Sequence, residues 1–322
     1  MTYARITGTG RYLPERQVTN SELAQRVDTS DEWIQQRVGI TSRRISGEHE
    51  TLLYMATEAS TQALEMAGLS AQQIDLIIVA TSTADDIMPS TATSLQHMIG
   101  AKPCISFDIS AACTGFVCAL HIANQFFKTG SVKRALVVGG ERMSRITDWQ
   151  DRSTCVLFGD GAGAAVLVAD QETGMLSSYI CSDGKDRDLL FVPSSLPKRP
   201  FEDEAPSPYL QMDGRSVFRH AVSMLGELVE RVLAEHQLTK ADIDWLIPHQ
   251  ANKRIIDATA KKMGLSWDKI VLTLPEQGNT SAASIALALD IAVRDGRVKQ
   301  DQLVLLEAFG AGFVWGAVLF KF

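Results

Sequence analysis

Apolar runs and mixed, helix-spaced stretches alternate along the chain. Ile74 to Ala80 is almost continuously apolar, bounded by polar residues, and predicts a strand buried on both faces. Ala135 to Gly140 predicts a second such strand, and Cys104 to Ile109 a third. Thr51 to Ala67 is alanine-rich with helical periodicity and stops at Gly68, while Pro89-Ser90 opens a helix running to Gly100. Ile6 to Arg11 reads as a first strand ending in a glycine turn. Thr29 and Glu32 have capping-box spacing and open a short helix through Trp33 to Arg37. Phe158 to Val168 reads as a glycine turn feeding a strand. No Lys-Ser/Thr follows these glycines, so a phosphate loop is excluded, and close backbone approach in a tight turn is the better account. Beyond Cys113, an apolar run extends to Phe127 with no clean polar face and a stop at Gly130, which predicts a buried helix. Ala282 to Val293 predicts another core helix: it is too short to span a bilayer and carries Asp290.

The pattern repeats. "GLSAQQIDLIIVAT" (68–81) has its echo in "QLTKADIDWLIPHQ" (237–250), with Ile74 and Ile243 169 residues apart. His121-Ile-Ala123 matches Asp290-Ile-Ala292, and "KRALVVGG" matches "DQLVLLEAFG", both at the same offset. Three anchors at one offset indicate an internal duplication of a βα-rich unit, hence an α/β protein of two similar halves, 1–172 and 173–322. Residues 183–209 hold five of the ten prolines and predict an irregular surface excursion, a linker or lid.

Composition narrows the class. With 45% hydrophobic and 21% charged residues, the 322-residue chain is typical of a globular protein with a sizeable core. A net charge of −7 argues against a nucleic-acid binder. Met1 is followed by no apolar signal region, so the expectation is a cytoplasmic protein that is neither secreted nor membrane-bound. The five cysteines form no CxxC pair and no metal spacing with histidine, which fits a reducing compartment and gives no metal site.

Candidate chemistry centres on Cys113. At the N-terminus of a buried helix, free N–H groups and the dipole stabilise a thiolate, and Ala111, Ala112 and Gly115 leave room for a substrate. Against this stands the plain alternative of a small core hydrophobe. The duplication decides between them. Cys113 aligns with Ala282, so Asn279 lies at the start of the equivalent helix. His249 aligns with Ala80 at the carboxyl end of the repeated strand, where α/β sheets form their sites. Two halves related by a pseudo-twofold axis bring Cys113, His249 and Asn279 together from three loops.

"DISAACTGF", "PHQANKRI", "EQGNTSAAS" and "LLEAFGAGFVWG", in this order, closely resemble the β-ketoacyl-acyl-carrier-protein synthase III family of thiolase-like condensing enzymes, and the likeness covers essentially the whole chain. The resemblance implies a thiolase-like αβαβα layered fold, a homodimer, and a Cys113–His249–Asn279 triad. The implied reaction is condensation of an acyl-CoA primer with malonyl-acyl-carrier protein, through a thioester on Cys113 and without metal or redox cofactor. It further implies an oxyanion hole from the backbone N–H groups of Cys113 and the Gly310-Ala311-Gly312 turn. Trp33 and Arg152 would flank the CoA adenine, with Thr29, Arg37, Gly214 and Asn252 along the pantetheine and phosphate path. Lys253, Arg254, Lys261 and Lys262, on one predicted helix, would offer a basic face to the acidic carrier protein.

Three departures from the family pattern bear on specificity. Ala311 replaces a frequent third glycine, where a positive φ would be costly. Met88 replaces a frequent phenylalanine at the end of the acyl pocket, and 185–209 is longer than usual. Two rivals remain: a related condensing or acyl-transferring enzyme of secondary metabolism, and a non-catalytic thiolase-like subunit, which would be expected to have lost the nucleophile.

Overall fold

The computed structural model describes residues 2–194 and 207–322. The predicted strand at 74–80 forms as Leu76–Ala80, wholly buried, because its two faces are claimed by different layers. Leu76, Ile78 and Ala80 enter one core and Ile77 and Val79 another, as the two-residue period of a strand requires. It belongs to a five-stranded sheet in the order Tyr3–Tyr12, Asp160–Asp170, Arg134–Arg142, Leu76–Ala80, Ile105–Ile109. A second sheet has the order Trp245–Pro248, Leu303–Gly310, Val314–Lys321, Met175–Ser182. Shifted by the offset of the repeat, Leu76–Ala80 falls on the Trp245 strand and Arg134–Arg142 on the Leu303 strand, so the two sheets run through equivalent strands in the same order. The counterpart of Ile105–Ile109 shrinks to an isolated parallel bridge between Leu246 and Ile270.

Between the sheets lie the helices Gly115–Lys128 and Ala283–Arg294, which the repeat makes equivalent and which have almost no exposed face. Leu52–Ala67 and Thr91–Met98 cover the outer face of the first sheet, Gly214–Glu235 and Lys253–Met263 that of the second. The stack is αβαβα, five layers around three apolar cores. No helix among the described residues is long and apolar enough to cross a membrane.

Helix ends follow the sequence closely at Thr51, which caps Leu52–Ala67 by accepting from Tyr54 N, and at Gly68, which closes it in the left-handed region. Elsewhere local signals mislead. Ser30, not Thr29, caps the helix Asp31–Val38, accepting from Trp33 N at 3.1 Å. The glycines near the amino end make no turn; the first strand runs through them to Tyr12. A Cβ on Gly8 or Gly10 would sit 2.1 Å from the carbonyl oxygen of Ala63 or Ala59, so these glycines let a helix lie directly on the strand. Gly163 has the same role inside the Asp160–Asp170 strand, against Ala286. Close approach is the right reason there, but the element is a strand. In the proline-rich excursion, Gly184–Leu189 forms short 3₁₀ turns and Leu190–Phe191 pairs with Gln211–Met212; residues 195–206 lie outside the described residues.

Candidate active site

Both inter-sheet helices begin with the same backbone device. Ala112 has φ 45° and Ser281, 169 residues later, has φ 47°. A non-glycine residue in the left-handed region is strained and persists only where its surroundings hold it, commonly at functional sites. The first turn throws up Cys113, the middle residue of the 3₁₀ turn Ala112–Thr114 ahead of Gly115–Lys128. The second places Asn279 two residues before Ser281, beside the Leu157–Gly159 segment. Asn279 N donates to Leu157 O at 2.8 Å and Gly159 N donates to Asn279 O at 3.0 Å. His249 follows the Trp245–Pro248 strand and is held by its own N–H to Glu307 O at 2.8 Å.

One cavity of about 1690 Å³ is lined by all three residues together with Ala311. Farther out, Arg37, Gly214, Asn252 and Arg254 line it as well. The Gly310-Ala311-Gly312 turn closes on Cys113: a Cβ on Gly310 would lie 2.8 Å from Cys113 N and 3.1 Å from Thr114 N. Ala311 does not have a positive φ; that conformation falls on Gly312, at 140°, so alanine at 311 carries no backbone strain.

The electrostatics depart from the simplest expectation for Cys113. Burial pushes its thiol up to about 12, a Ser281 hydrogen bond pulls it down only partly, and the Glu141 carboxylate raises it further. The residue keeps some surface on the cavity side, yet its sulfur is deep enough for desolvation to outweigh the helix terminus in the resting state. Burial lowers His249 to about 3, so its imidazole is neutral. Its Nδ1 lies 2.6 Å from Ser284 Oγ, which also accepts from Gln250 N at 3.4 Å. A Ser284 hydroxyl donating to Nδ1 leaves the proton on Nε2, where the ring can donate to a substrate. Asn279 Oδ1 accepts from Ser281 N at 2.9 Å, which leaves its Nδ2 as the donating end.

The outer residues divide. The Arg152 guanidinium lies over Trp33 at 5.1 Å and donates to Asp28 O at 2.7 Å, but Trp33, Arg152 and Thr29 do not line the cavity; a base entering between Trp33 and Arg152 requires the pair to separate. Arg254 sits over Phe218 at the cavity wall, whereas Lys253 is engaged by Asp257 at 3.0 Å and lies over the Trp267 ring. Lys262 donates to Ser223 O, and Lys261 is exposed. Met88 is not brought to the cavity of this chain: it is 79% exposed, and its neighbour Ile87 reaches the rim. From the excursion, Leu190 to Ser194 form part of the wall.

Sequence reasoning missed the residues that hold these groups in place. Gln250, fully buried, fixes the loop after His249 by donating to Pro248 O and Val271 O and accepting from Thr273 N and Leu274 N. Ser281 and Ser284 stand in "NTSAAS", where the spacing of three hydroxyl-bearing residues ahead of an apolar helix was the available signal. Glu141 closes an apolar strand and had none.

Comparison with known proteins places this geometry. The family described as 3-oxoacyl-[acyl-carrier-protein] synthase III matches residues 107–184, and its C-terminal counterpart matches residues 233–322. The β-ketoacyl-[acyl-carrier-protein] synthase III of Thioalkalivibrio sulfidiphilus is 53% identical over 322 residues, covering 100% of both chains. Its namesake in Alkalilimnicola ehrlichii is 53% identical over 324 residues, again covering 100% of both. Among solved structures, 3-oxoacyl-[acyl-carrier-protein] synthase III from Aquifex aeolicus superposes with a TM-score of 0.93 at 44% identity, covering 99% of this chain and 100% of that one. The priming β-ketosynthase of the R1128 polyketide pathway superposes at 0.95 with 39% identity, covering 99% and 96%. With full-length identity at this level and the fold shared throughout, the chain belongs to the β-ketoacyl-acyl-carrier-protein synthase III family of thiolase-like condensing enzymes.

Proposed function

We propose that the chain performs the decarboxylative Claisen condensation that initiates type II fatty acid synthesis, with Cys113 as nucleophile and His249 and Asn279 as donors to the malonyl thioester. The observation that carries this reading is the convergence of the three side chains, from both sheets, on one cavity. Cys113 Sγ attacks the carbonyl of an acyl-CoA primer, and the oxyanion faces the N–H groups of Cys113 and Ala311. CoA leaves as its thiol, and the acyl group stays on Cys113. Malonyl-acyl-carrier protein then occupies the same cavity. Its carboxylate departs as CO₂, and the electron pair of the broken C–C bond enters the thioester as an enolate whose oxygen accepts from His249 Nε2 and Asn279 Nδ2. The carbanion attacks the acyl thioester and releases Cys113. Decarboxylation supplies the electron pair, so the reaction as written calls for neither a metal nor a redox cofactor.

Around this centre we read Arg37, Gly214 and Asn252 as the CoA path, with Thr29 and the Trp33–Arg152 pair receiving the adenine outside the cavity. Arg254, with Lys261, Lys262 and Lys253 on the same helix, forms the carrier-protein face. The halves 1–172 and 173–322 act as the two sides of one site, and the protein works in the cytoplasm as a homodimer. The dimer reading is supported by the edge strand Ile105–Ile109, whose Ile105 is exposed, and by the exposed apolar side chains of Ile87, Met88 and Met98. Intact-mass spectrometry after mixing with acyl-CoAs of increasing length tests the central claim. A stoichiometric adduct on Cys113 is expected, and its absence for every primer would leave a non-catalytic subunit. The likeness to a polyketide priming ketosynthase makes primer preference the observation that separates fatty acid initiation from a role in secondary metabolism.

A further inference from the structure

Arg43 is the largest fully buried side chain among the described residues. It lies in the short strand Ser42–Arg44, which pairs with Gln17–Thr19. Its Nη1 donates to Val18 O at 3.2 Å, and its Nη2 donates to Asn20 Oδ1 and to Val156 O, both at 2.9 Å. All three acceptors are neutral. Burying a charge among neutral groups is costly, and what the guanidinium supplies in return is a rigid planar fork that bonds separate segments at once. Burial lowers its ionisation to about 10, which leaves it charged at neutral pH.

These bonds lead to the site. Val156 is followed by Leu157 and Phe158, both in the cavity wall. Leu157 O accepts from Asn279 N, Gly159 N donates to Asn279 O, and Phe158 faces Asn279 in an isolated parallel bridge. The stem of Arg43 packs against the same pairing: a Cβ on Gly278 would lie 3.1 Å from Arg43 Cβ, and one on Gly159 3.3 Å from it. Neighbours of Arg43 clasp the loop from its other end. Ser42 Oγ donates to Glu276 O at 3.4 Å, and both N and Oγ of Thr41 donate to Pro275 O at 2.7 Å. Asn20 in turn donates to Asp31 Oδ1 at 2.8 Å, in the first turn of the helix that carries Trp33 and Arg37.

Resting on the role proposed above for Asn279, we infer that Arg43 is a positioning residue for it, clamping the Leu157–Gly159 segment against Gly278-Asn279 so that Asn279 Nδ2 is aimed at the malonyl thioester. Arg43 itself is not among the residues lining the cavity, and it touches no substrate. The main-chain N–H and carbonyl of Asn279 are both bonded to the clamped segment, so the side chain goes where that segment goes. The N–H groups of Cys113 and Ala311 stand on other turns, and acylation is independent of the clamp.

Arg43→Lys keeps the charge and most of the stem but not the planar fork. The experiment measures acylation of Cys113 by labelled acyl-CoA at saturating primer, where a disturbed Asp31–Val38 helix shows only in KM, and CO₂ release from malonyl-acyl-carrier protein. Acylation is expected to stay within about twofold of wild type, and CO₂ release to fall by roughly 10- to 10²-fold, less than for loss of the donor itself. In an Asn279→Ala background the same substitution is expected to cost nothing further, because Arg43 acts through the residue already removed. Normal acylation shows that the variant is folded. Where Arg43→Lys does not fold, Asn20→Ala carries the test: it leaves the arginine in place, removes one acceptor, and is expected to slow CO₂ release in the same sense by less. Unchanged CO₂ release in the variant tested overturns the inference. So does an equal loss in both half-reactions, or a loss of the same size with and without Asn279, since Arg43 then supports only the fold. An Asn279→Ala protein that releases CO₂ at the wild-type rate refutes the role proposed for Asn279, and the inference with it.

Discussion

Removing His249 is expected to separate the two half-reactions. A thiol near 12 and an imidazole near 3 make His249 a poor base for Cys113. Burial penalises both the thiolate and the imidazolium that a proton transfer between them would create. Acylation therefore draws little from the ring, and His249→Ala is expected to accept a labelled acyl group from CoA within about tenfold of the wild-type rate, a loss of about 1.4 kcal/mol. Decarboxylation is different, because charge develops on the malonyl thioester oxygen in a site shielded from water. Loss of one positioned donor there costs roughly 10²–10³ in rate. His249→Ala and Asn279→Ala should each lose CO₂ release from malonyl-carrier protein by that factor. Cys113→Ala should form no acyl-enzyme yet still bind the malonyl thioester. Label transfer and CO₂ release are measured side by side on each variant. A His249→Ala protein that cannot be acylated would make the ring the obligatory base for the cysteine, and the division of labour would fall.

Gly163→Ala places a methyl 2.6 Å from Ala286 Cβ and 2.7 Å from the backbone of Ala286 and Leu287, none of which can swing aside; a loss of about 1–3 kcal/mol is expected from overpacking, read as a lower Tm. Arg254→Glu should raise KM for malonyl-carrier protein and weaken its salt dependence, and because Arg254 lines the cavity it should slow acylation by acyl-CoA too. Lys261→Glu, off the cavity, should affect the carrier-protein step alone, and equal effects of both variants on acylation would refute this assignment. Glu307 is buried with both carboxyl oxygens unpartnered, and burial pushes its acid up to about 8 from 4.5. The folded state then binds a proton that the unfolded chain has released, so stability should fall as pH rises from 4.5 to 8. Glu141 contributes in the same sense up to about 7, and the lowered His249 opposes both only below 6.5. Denaturant midpoints at pH 6.5 and 8 should show that Glu307→Gln flattens the slope by on the order of a few kcal/mol.

Long-range regularity was legible in this sequence; close approach was legible in part, and the elements that make it were not. The offset between Ile74 and Ile243 foretold two sheets of one design, because a duplicated chain repeats its strand-and-helix pattern whatever its surface becomes. It also foretold that Cys113, His249 and Asn279 would meet, since equivalent ends of equivalent strands lie at the junction. Gly8 and Gly10 read locally as a turn, and Gly163 as close approach within one, because a glycine's local preference is for turns; here all three lie in strands, where tertiary packing of helices demands the missing Cβ. Thr29 matched the capping spacing, yet Ser30 has the extended backbone and the oxygen within reach of Trp33 N, a one-residue difference that spacing alone cannot resolve. Met88 is a pocket residue by position in a motif, but in this chain its side chain is exposed and does not line the cavity.

The duplication also explains why the site is asymmetric although its frame is not. Each half offers a strained turn, at Ala112 and at Ser281, to the end of a strand from the other half. Those strand ends are themselves equivalent: Glu141 in the first sheet and Gly310 in the second stand 169 residues apart. At one contact a carboxylate meets a hydroxyl, and Glu141 receives Ser281. At the other the side chain is missing altogether, and the backbone of Gly310 comes up against the N–H groups of Cys113 and Thr114. The symmetric frame thus provides two like junctions, and divergence of one residue at each sets their chemistry. One junction supports the turn after Asn279; the other leaves open the space beside the N–H of Cys113, where the function proposed above puts the oxyanion. A side chain at 310 would fill that space, and without the carboxylate at 141 the nearest acceptor for Ser281 Oγ is gone. On the function proposed above, the two halves therefore have to differ at positions 141 and 310, although the turns that meet them share one backbone conformation.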